Sequence, residues 1–333
     1  MAKNITKRRV GGNAACAVRR GGLDVSGAAI DCGIDGLEEV VRLPHTDEGL
    51  AHLARHLDEH GVGHVVIEAT GGLERKAKAM LKARGLRVDV VDPNRVRAYA
   101  KAIGQRAKTD RIDARVIAAY AAQIAANDLE KTSDPRLDTL AELVALYQQH
   151  TQDAGRWSVR ATRVSDAMKA EYERTIAFHK AQAARILAEI VARIESEEDL
   201  ARRFELVRSV PGVGPSTAAT LVATMPELGH ASRGEIAALA GLAPYDRSSG
   251  GSEGERHIAG GRARPRQALF AAAMIASLRW NPALVQLRHR LKAKADAQGK
   301  KRYRSIIVAC ARKLLVQINA VVARGTPWVP ETA

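Results

Sequence analysis

Along residues 21–130, short apolar runs alternate with amphipathic stretches, the pattern of strands interleaved with helices. Strand-like runs fall at Leu23–Val25, Ala28–Cys32 and Val40–Leu43. A helix is predicted from Asp47 to His60, with Thr46 as its cap, Asp47 and Glu48 in its first turn and Gly61 beyond its end. A strand over His64–Glu68, a helix over Leu73–Arg84 closed by Gly85, a strand over Leu86–Val91 and a helix from Asn94 follow. In Thr109–Gln123, Ile112, Val116, Ile117 and Tyr120 recur at helical spacing. Beyond the start signal Ser133-Asp134-Pro135 a helical pattern persists to Phe204, striped by Leu140, Leu143, Tyr147, Ile186, Leu187, Ile190, Val191 and Ile194, with Gly155 as an interruption. The run Leu206–Leu221 reads as two short helices around a Pro-Gly-Val-Gly turn, and a last helix covers Arg266–Leu278.

This pattern divides the 333 residues into a basic flexible arm (1–20), a mixed α/β domain (21–130), a long helical connector (131–205) and a mainly α C-terminal domain with a helix-hairpin-helix-like segment (206–333). The strand and helix order of the second region predicts a mixed sheet covered by helices, the arrangement of an RNase H-like or RuvC-like core. A connector of this length, too thin for its own core, calls for a partner helix, in a homodimer or tetramer, unless it packs back on its own chain. No uninterrupted apolar run approaches a membrane span and no apolar leader opens the chain, so a cytoplasmic protein without a membrane partner, nucleoid-associated when acting, is expected.

Charge then narrows the partner. Lys and Arg number 52 against 37 Asp and Glu, a formal charge of +15, which favours a polyanion. Charge alone does not separate DNA from RNA. Aromatic residues make up only 4%, so contacts to the phosphate backbone, rather than base stacking, should dominate affinity. Cys16, Cys32 and Cys310 show neither disulfide nor zinc-knuckle spacing.

Four carboxylates carry the candidate chemistry. Asp24 and Glu68 stand at the polar ends of apolar runs, where a buried strand delivers a side chain to the sheet edge, and Asp110 and Asp113 share one face of a predicted helix. Such a cluster can hold two divalent ions about 3.5 to 4 Å apart. The alternative is surface charge paired with Lys108, Arg111 and Arg115.

Farther along, Gly212 and Gly214 leave room for a phosphate to approach backbone amides. The loop that follows places Ser248 and Ser249 among Arg247, Arg256, Arg262 and Arg264, a set suited to receive a phosphodiester, although a plain basic surface loop would look similar. Together with Lys108 and Arg111, these glycines and arginines are the candidate nucleic-acid contacts.

GLDVS, VIEATGG, KAIGQRAKTDRIDARVIAAYA, SVPGVGPSTA, GLAPYDRSSGG, RHIAGGRARPRQALF and RKLL resemble, in that order, the DEDD transposases of the insertion-sequence one-ten family, with RHIAGGR most similar to the eleven-eleven subgroup. The resemblance implies a RuvC-like domain, a helical connector and a C-terminal transposase domain with a nucleophilic serine. It implies that Asp24, Glu68, Asp110 and Asp113 hold Mg²⁺, with Mn²⁺ as a substitute. It also implies that Ser249, with Ser248 in reserve, attacks the scissile phosphate to form a phosphoserine link. Expected partners are target and donor DNA and a structured guide RNA, the bridge RNA, that pairs with both. The chain departs from the family pattern at Gly27, where a lysine usually follows DVS, and in the segment that precedes the first strand. A RuvC-type nuclease or junction resolvase using metal-activated water, an inactive DNA-binding protein and a DNA invertase of the same fold are the competing readings.

Overall fold

A computed structural model describes residues 19–105, 110–123, 134–245, 257–300 and 302–329, with the backbone alone at 110–112. The chain forms two compact units, Met1–Thr132 and Ser133–Ala333.

In the first unit five strands, β1 (Arg19–Val25), β2 (Ala29–Ile34), β3 (Val40–Pro44), β4 (Val62–Glu68) and β5 (Arg87–Val91), lie in the order β3-β2-β1-β4-β5. β1, β2 and β3 form an antiparallel meander, while β4 and β5 run parallel to β1. Four helices accompany them: α1 (Asp47–Glu59), α2 (Glu74–Ala83), α3 (Pro93–Ala102) and α4 (Asp110–Gln123). Thr46 caps α1 as expected, its hydroxyl accepting from the Gly49 amide at 3.2 Å. Period-two alternation sends Leu23, Val25, Ile30, Cys32, Val65 and Ile67 to one face, where they pack with Leu53 and Leu57 of α1 and Leu81 of α2. The other face carries Val66 and Val91 against Val96 of α3 and Val116 and Ile117 of α4.

Two glycines decide how α4 lies on that second face. Gly22 and Gly33 are cross-strand partners on β1 and β2. A Cβ on Gly22 would stand 2.1 Å from the Ala118 amide nitrogen, and one on Gly33 2.8 Å from the Ala114 carbonyl oxygen. The helix backbone therefore rests directly on sheet backbone. Arg20 donates to the Ala122 carbonyl at 3.4 Å. With Ala122 beside Arg20 and Ala118 over Gly22, α4 runs opposite to β1, and its first turn points to the end of the sheet where β1 finishes.

The second unit is helical: α5 (Pro135–Ala161), α6 (Asp166–Glu195), α7 (Glu198–Arg208), α8 (Pro215–Thr224), α9 (Arg233–Leu239), α10 (Ala263–Ile275), α11 (Pro282–Ala297) and α12 (Tyr303–Arg324), with a two-stranded ribbon, β6 (Pro244–Tyr245) and β7 (His257–Ile258). The long helical pattern expected up to Phe204 is three helices. The chain reverses after α5, not at Gly155, which sits inside α5 with open space where its side chain would be. α5 and α6 pack on each other. Leu140, Ile186, Ile190 and Ile194 of the predicted stripe enter one core with Phe204, Leu221, Leu314 and Ile318, so this stripe is satisfied within its own chain. Among the described residues only α12 is, as a single helix, long and apolar enough to cross a bilayer; α10 with its π-helical extension (Ala276–Trp280) and α11 pass together only as a pair bent by 95°. The buried residues Ile307, Leu314 and Ile318 of α12 lie within the unit's core.

Candidate active site

The carboxylates meet where β1, β4 and α4 converge. Leu23 and Ile67 are register partners on parallel strands, so the next residues, Asp24 and Glu68, stand abreast on strands about 4.8 Å apart. Both are half-buried and lie on the face that α4 covers. Asp113 is half-buried one turn before Ile117, on the helix face that packs against the sheet. Asp110 opens the same helix, one turn earlier. The order of the sheet and the direction of α4 thus bring Asp24, Glu68 and Asp113 to one end of the sheet, with the backbone of Asp110 in the first turn of the same helix.

A fifth acid belongs to this row. Asp31 faces Asp24 across β1 and β2, with Cβ atoms roughly 5 Å apart in such pairs, and is 2% exposed. Arg42, its partner on β3, approaches it at 3.3 Å. Asp31 lies inside an apolar strand, and a lone acid between Ile30 and Cys32 is the signal of it that the sequence carries.

The loop after Glu68 is tied down by Glu74. Its carboxylate accepts from the Thr70 hydroxyl (2.9 Å), the Thr70 amide (3.2 Å) and the Gly72 amide (2.8 Å). Burial opposes ionisation of Glu74, but the hydrogen bonds from its own amide, Gly72 and Thr70 outweigh it and hold the carboxyl below its ordinary range. The segment that carries Glu68 out of the sheet is fixed from its far side.

Oxygen donors from Asp24, Glu68 and Asp113 are the set that hard divalent cations take. Their oxygens do not form a closed cage, since among the described residues only His56, Glu59 and His60 bring ligand atoms within 4.8 Å of one another. Asp24, Glu68 and Asp113 each take part in other polar interactions. The donor chemistry fits a divalent ion, and binding one requires these side chains to draw closer.

In the second unit, β6 and β7 pair through Pro244 with Ile258 and Tyr245 with His257, forming the feet of the loop 246–256. Below the ribbon, Gly241 and Gly261 touch so closely that a Cβ on Gly261 would stand 2.1 Å from the Gly241 nitrogen. Arg266 donates to the Gly260 carbonyl at 2.7 Å and completes the anchor. Arg247, Ser248, Ser249 and Arg256 lie outside the described residues, as do Lys108 and the side chains of Asp110 and Arg111.

Two expected nucleic-acid contacts have other employment. The Arg262 guanidinium grips Glu227 with two bonds of 2.6 Å and donates to the Thr224 carbonyl at 2.9 Å, so it holds the end of α8 instead of facing solvent. Gly212, at φ +91°, leaves room for Ala276, whose Cβ would lie 2.3 Å from an added Cβ; the space is filled by protein and not open to a phosphate. Gly214, the cap of α8, does face open space, and Arg264 is exposed. Arg262→Ala is accordingly expected to lower unfolding stability by about 2 kcal/mol, because it removes two charge-assisted hydrogen bonds from a half-buried carboxylate. It should leave the salt dependence of DNA binding unchanged, whereas Arg264→Ala should reduce the logarithmic salt slope by about 1.

Residues 22–168 match the DEDD transposase family model of IS110 type, and residues 204–290 match the model described as transposase IS116/IS110/IS902 family. The chain is similar to the pilin gene-inverting proteins of Moraxella lacunata and Moraxella bovis, each 29% identical over 271 residues that cover 80% of this chain and 81% of the relative. The first match begins at Gly22, in the strand that carries Asp24, and runs through α5; the second takes in the α7–α8 turn, the ribbon and α10. Two separate regions of the chain, one in each compact unit's main part, are thus each similar to a family model of IS110-type transposases.

Proposed function

We propose that this protein is a DNA recombinase that cuts and rejoins strands, using a divalent ion at a RuvC-like DEDD site, Asp24, Glu68, Asp110 and Asp113, together with Ser249 as nucleophile. The observation that carries the reading is the gathering of Asp24, Glu68 and the first turn of α4 at one sheet edge, within a region matched by a DEDD transposase model. The ion is Mg²⁺, with Mn²⁺ able to replace it. When bound, it neutralises charge on the phosphate and orients it.

The chain's own groups do the rest. Ser249 Oγ forms a bond to phosphorus as the bond from phosphorus to a deoxyribose oxygen breaks, and the departing oxygen takes up a proton while the serine gives one to a nearby base. A deoxyribose hydroxyl then attacks the phosphoserine, restoring a phosphodiester and the free serine. One ester replaces another at each step, so strands are exchanged without an external energy source. The strands that flank residues 246–256 are held by the ribbon pairing and the Gly241–Gly261 contact, and this supports a role for the segment between them.

A structured guide RNA, recognised by shape and phosphates, selects target and donor DNA by base pairing, in keeping with few aromatics and many arginines. Inversion of a DNA segment between two sites uses the same strand chemistry, and the named activity of the Moraxella relatives favours it as the second reading.

The test is to incubate the protein with its copurified RNA and DNA, stop with denaturant and look for DNA covalently attached to protein. Wild type and Ser248→Ala should give the band; Ser249→Ala and Asp110→Ala should not. A band that survives in Ser249→Ala rejects the nucleophile, and free DNA ends in wild type favour hydrolysis by water. Sequencing the rejoined junctions distinguishes inversion from mobilisation.

A further inference from the structure

The last turn of α1 carries chemistry that the recombination reading does not use. His52, His56 and His60 recur at intervals of four, a spacing that stacks them along one side of a helix. We propose that His56, Glu59 and His60 form a second metal site, for one borderline transition ion of the zinc, nickel or copper(II) class.

Their ligand atoms already lie within 4.8 Å of one another. The two imidazole centroids are 4.5 Å apart, tilted by 53°. His60 Nδ1 is 2.8 Å from the His56 carbonyl oxygen, which can only accept, so Nδ1 carries the proton and Nε2 presents its lone pair. A ligating histidine is commonly oriented in this way, by a backbone carbonyl on its other nitrogen. The neighbouring acid Asp58 is turned to Arg84 at 3.8 Å, and among the described residues no ion pair claims Glu59. His56 and His60 are half-buried and Glu59 is exposed, which leaves the trio open to an ion from solvent.

Two imidazoles and one carboxylate select against Mg²⁺ and Ca²⁺, which take oxygen, and favour ions that accept nitrogen. The site is also remote from the DEDD edge. α1 ends at Glu59 with His60 as its C-cap, and the chain enters β4 at Val62, whereas Glu68 closes that strand six residues later, about 20 Å away at the rise of a β-strand. An ion held by the i and i+4 imidazoles would staple the last turn of α1 where it leads into β4.

The full chain, stripped with chelator, is titrated with Zn²⁺ in millimolar Mg²⁺ by calorimetry. One ion per chain at micromolar affinity or tighter is expected, with affinity falling at least tenfold in His56→Ala and in His60→Ala and by less in Glu59→Gln. The Asp24→Asn/Asp113→Asn variant should bind as wild type. Zn²⁺ should raise the unfolding temperature of wild type but not of His56→Ala. Co²⁺ loaded on wild type provides a readout that needs no variant, through visible absorption of a nitrogen and oxygen site. Absence of binding, wild-type affinity in either histidine variant, or loss of the ion in Asp24→Asn/Asp113→Asn would each overturn the proposal.

Discussion

Asp24→Asn and Glu68→Gln are each expected to reduce DNA strand cleavage by a factor on the order of 10³ while leaving the protein folded. The size follows from the role. A divalent ion at a phosphoryl group supplies several kcal/mol of charge stabilisation, and each ~1.4 kcal/mol is a factor of ten in rate. The survival of the fold follows from position. Asp24, Asp31 and Glu68 stand on neighbouring strands, and two like charges about 5 Å apart repel by roughly 3 kcal/mol at an effective dielectric near 20. Neutralising one member relieves that repulsion, so the unfolding temperature should stay level or rise as activity falls, the usual exchange between stability and function at a charged site. Asp31→Asn should behave in the opposite way, because its carboxylate is buried against Arg42: a loss of stability, with a smaller change in cleavage. Cleavage and thermal unfolding measured on the three variants separate the two roles. Wild-type rates in Asp24→Asn would remove this residue from the metal site.

Much of this was readable from residue order. The strands and helices of the first unit fall within a few residues of the expected positions because its apolar runs are short and bounded by caps and glycines such as Thr46, Gly61 and Gly85. Asp24 and Glu68 were legible for the same reason: each ends an apolar run. Pairing was not. Nothing in the local sequence states that Asp31 faces Asp24, since that depends on the register of the β1–β2 hairpin. The fate of Arg262 depends on Glu227, 35 positions away. An arginine in a glycine-rich loop looks like a phosphate ligand until the carboxylate that claims it is in place. The helical pattern failed to show where the chain reverses, because residues 162–165 carry no glycine or proline and the turn is imposed by the packing of α5 on α6. Conversely, Gly155 suggested a break, and the helix passes through it at the modest cost, about 1 kcal/mol, of an internal glycine.

Gly22→Ala is expected to cost at least about 3 kcal/mol of stability in the first unit, and Gly22→Val to prevent its folding. A methyl at this position would meet the Ala118 nitrogen at 2.1 Å, the Ile117 carbonyl carbon at 2.6 Å and the Ala114 oxygen at 2.7 Å, and all three are backbone atoms that no rotamer change can move aside. Overpacking a core typically costs 1–3 kcal/mol when side chains can give way, so a contact with helix backbone belongs at or beyond the upper end. Relief can come only by lifting α4 from β1, which also displaces Asp113 from Asp24 and Glu68. Activity should therefore fall even under conditions where the variant remains folded. Gly33→Ala, whose methyl would reach the Ala114 oxygen at 2.8 Å, should be milder. Because one displacement of α4 relieves both clashes, the Gly22→Ala/Gly33→Ala pair should lose less than the sum of the single losses. Gly27 provides the control: it has open space around its Cβ direction and no positive φ, so Gly27→Ala should be neutral or stabilise by roughly 0.4–1 kcal/mol. Denaturant unfolding of the alanine variants decides the matter, and a Gly22→Ala protein as stable as Gly27→Ala would show that α4 does not rest on the glycine pair.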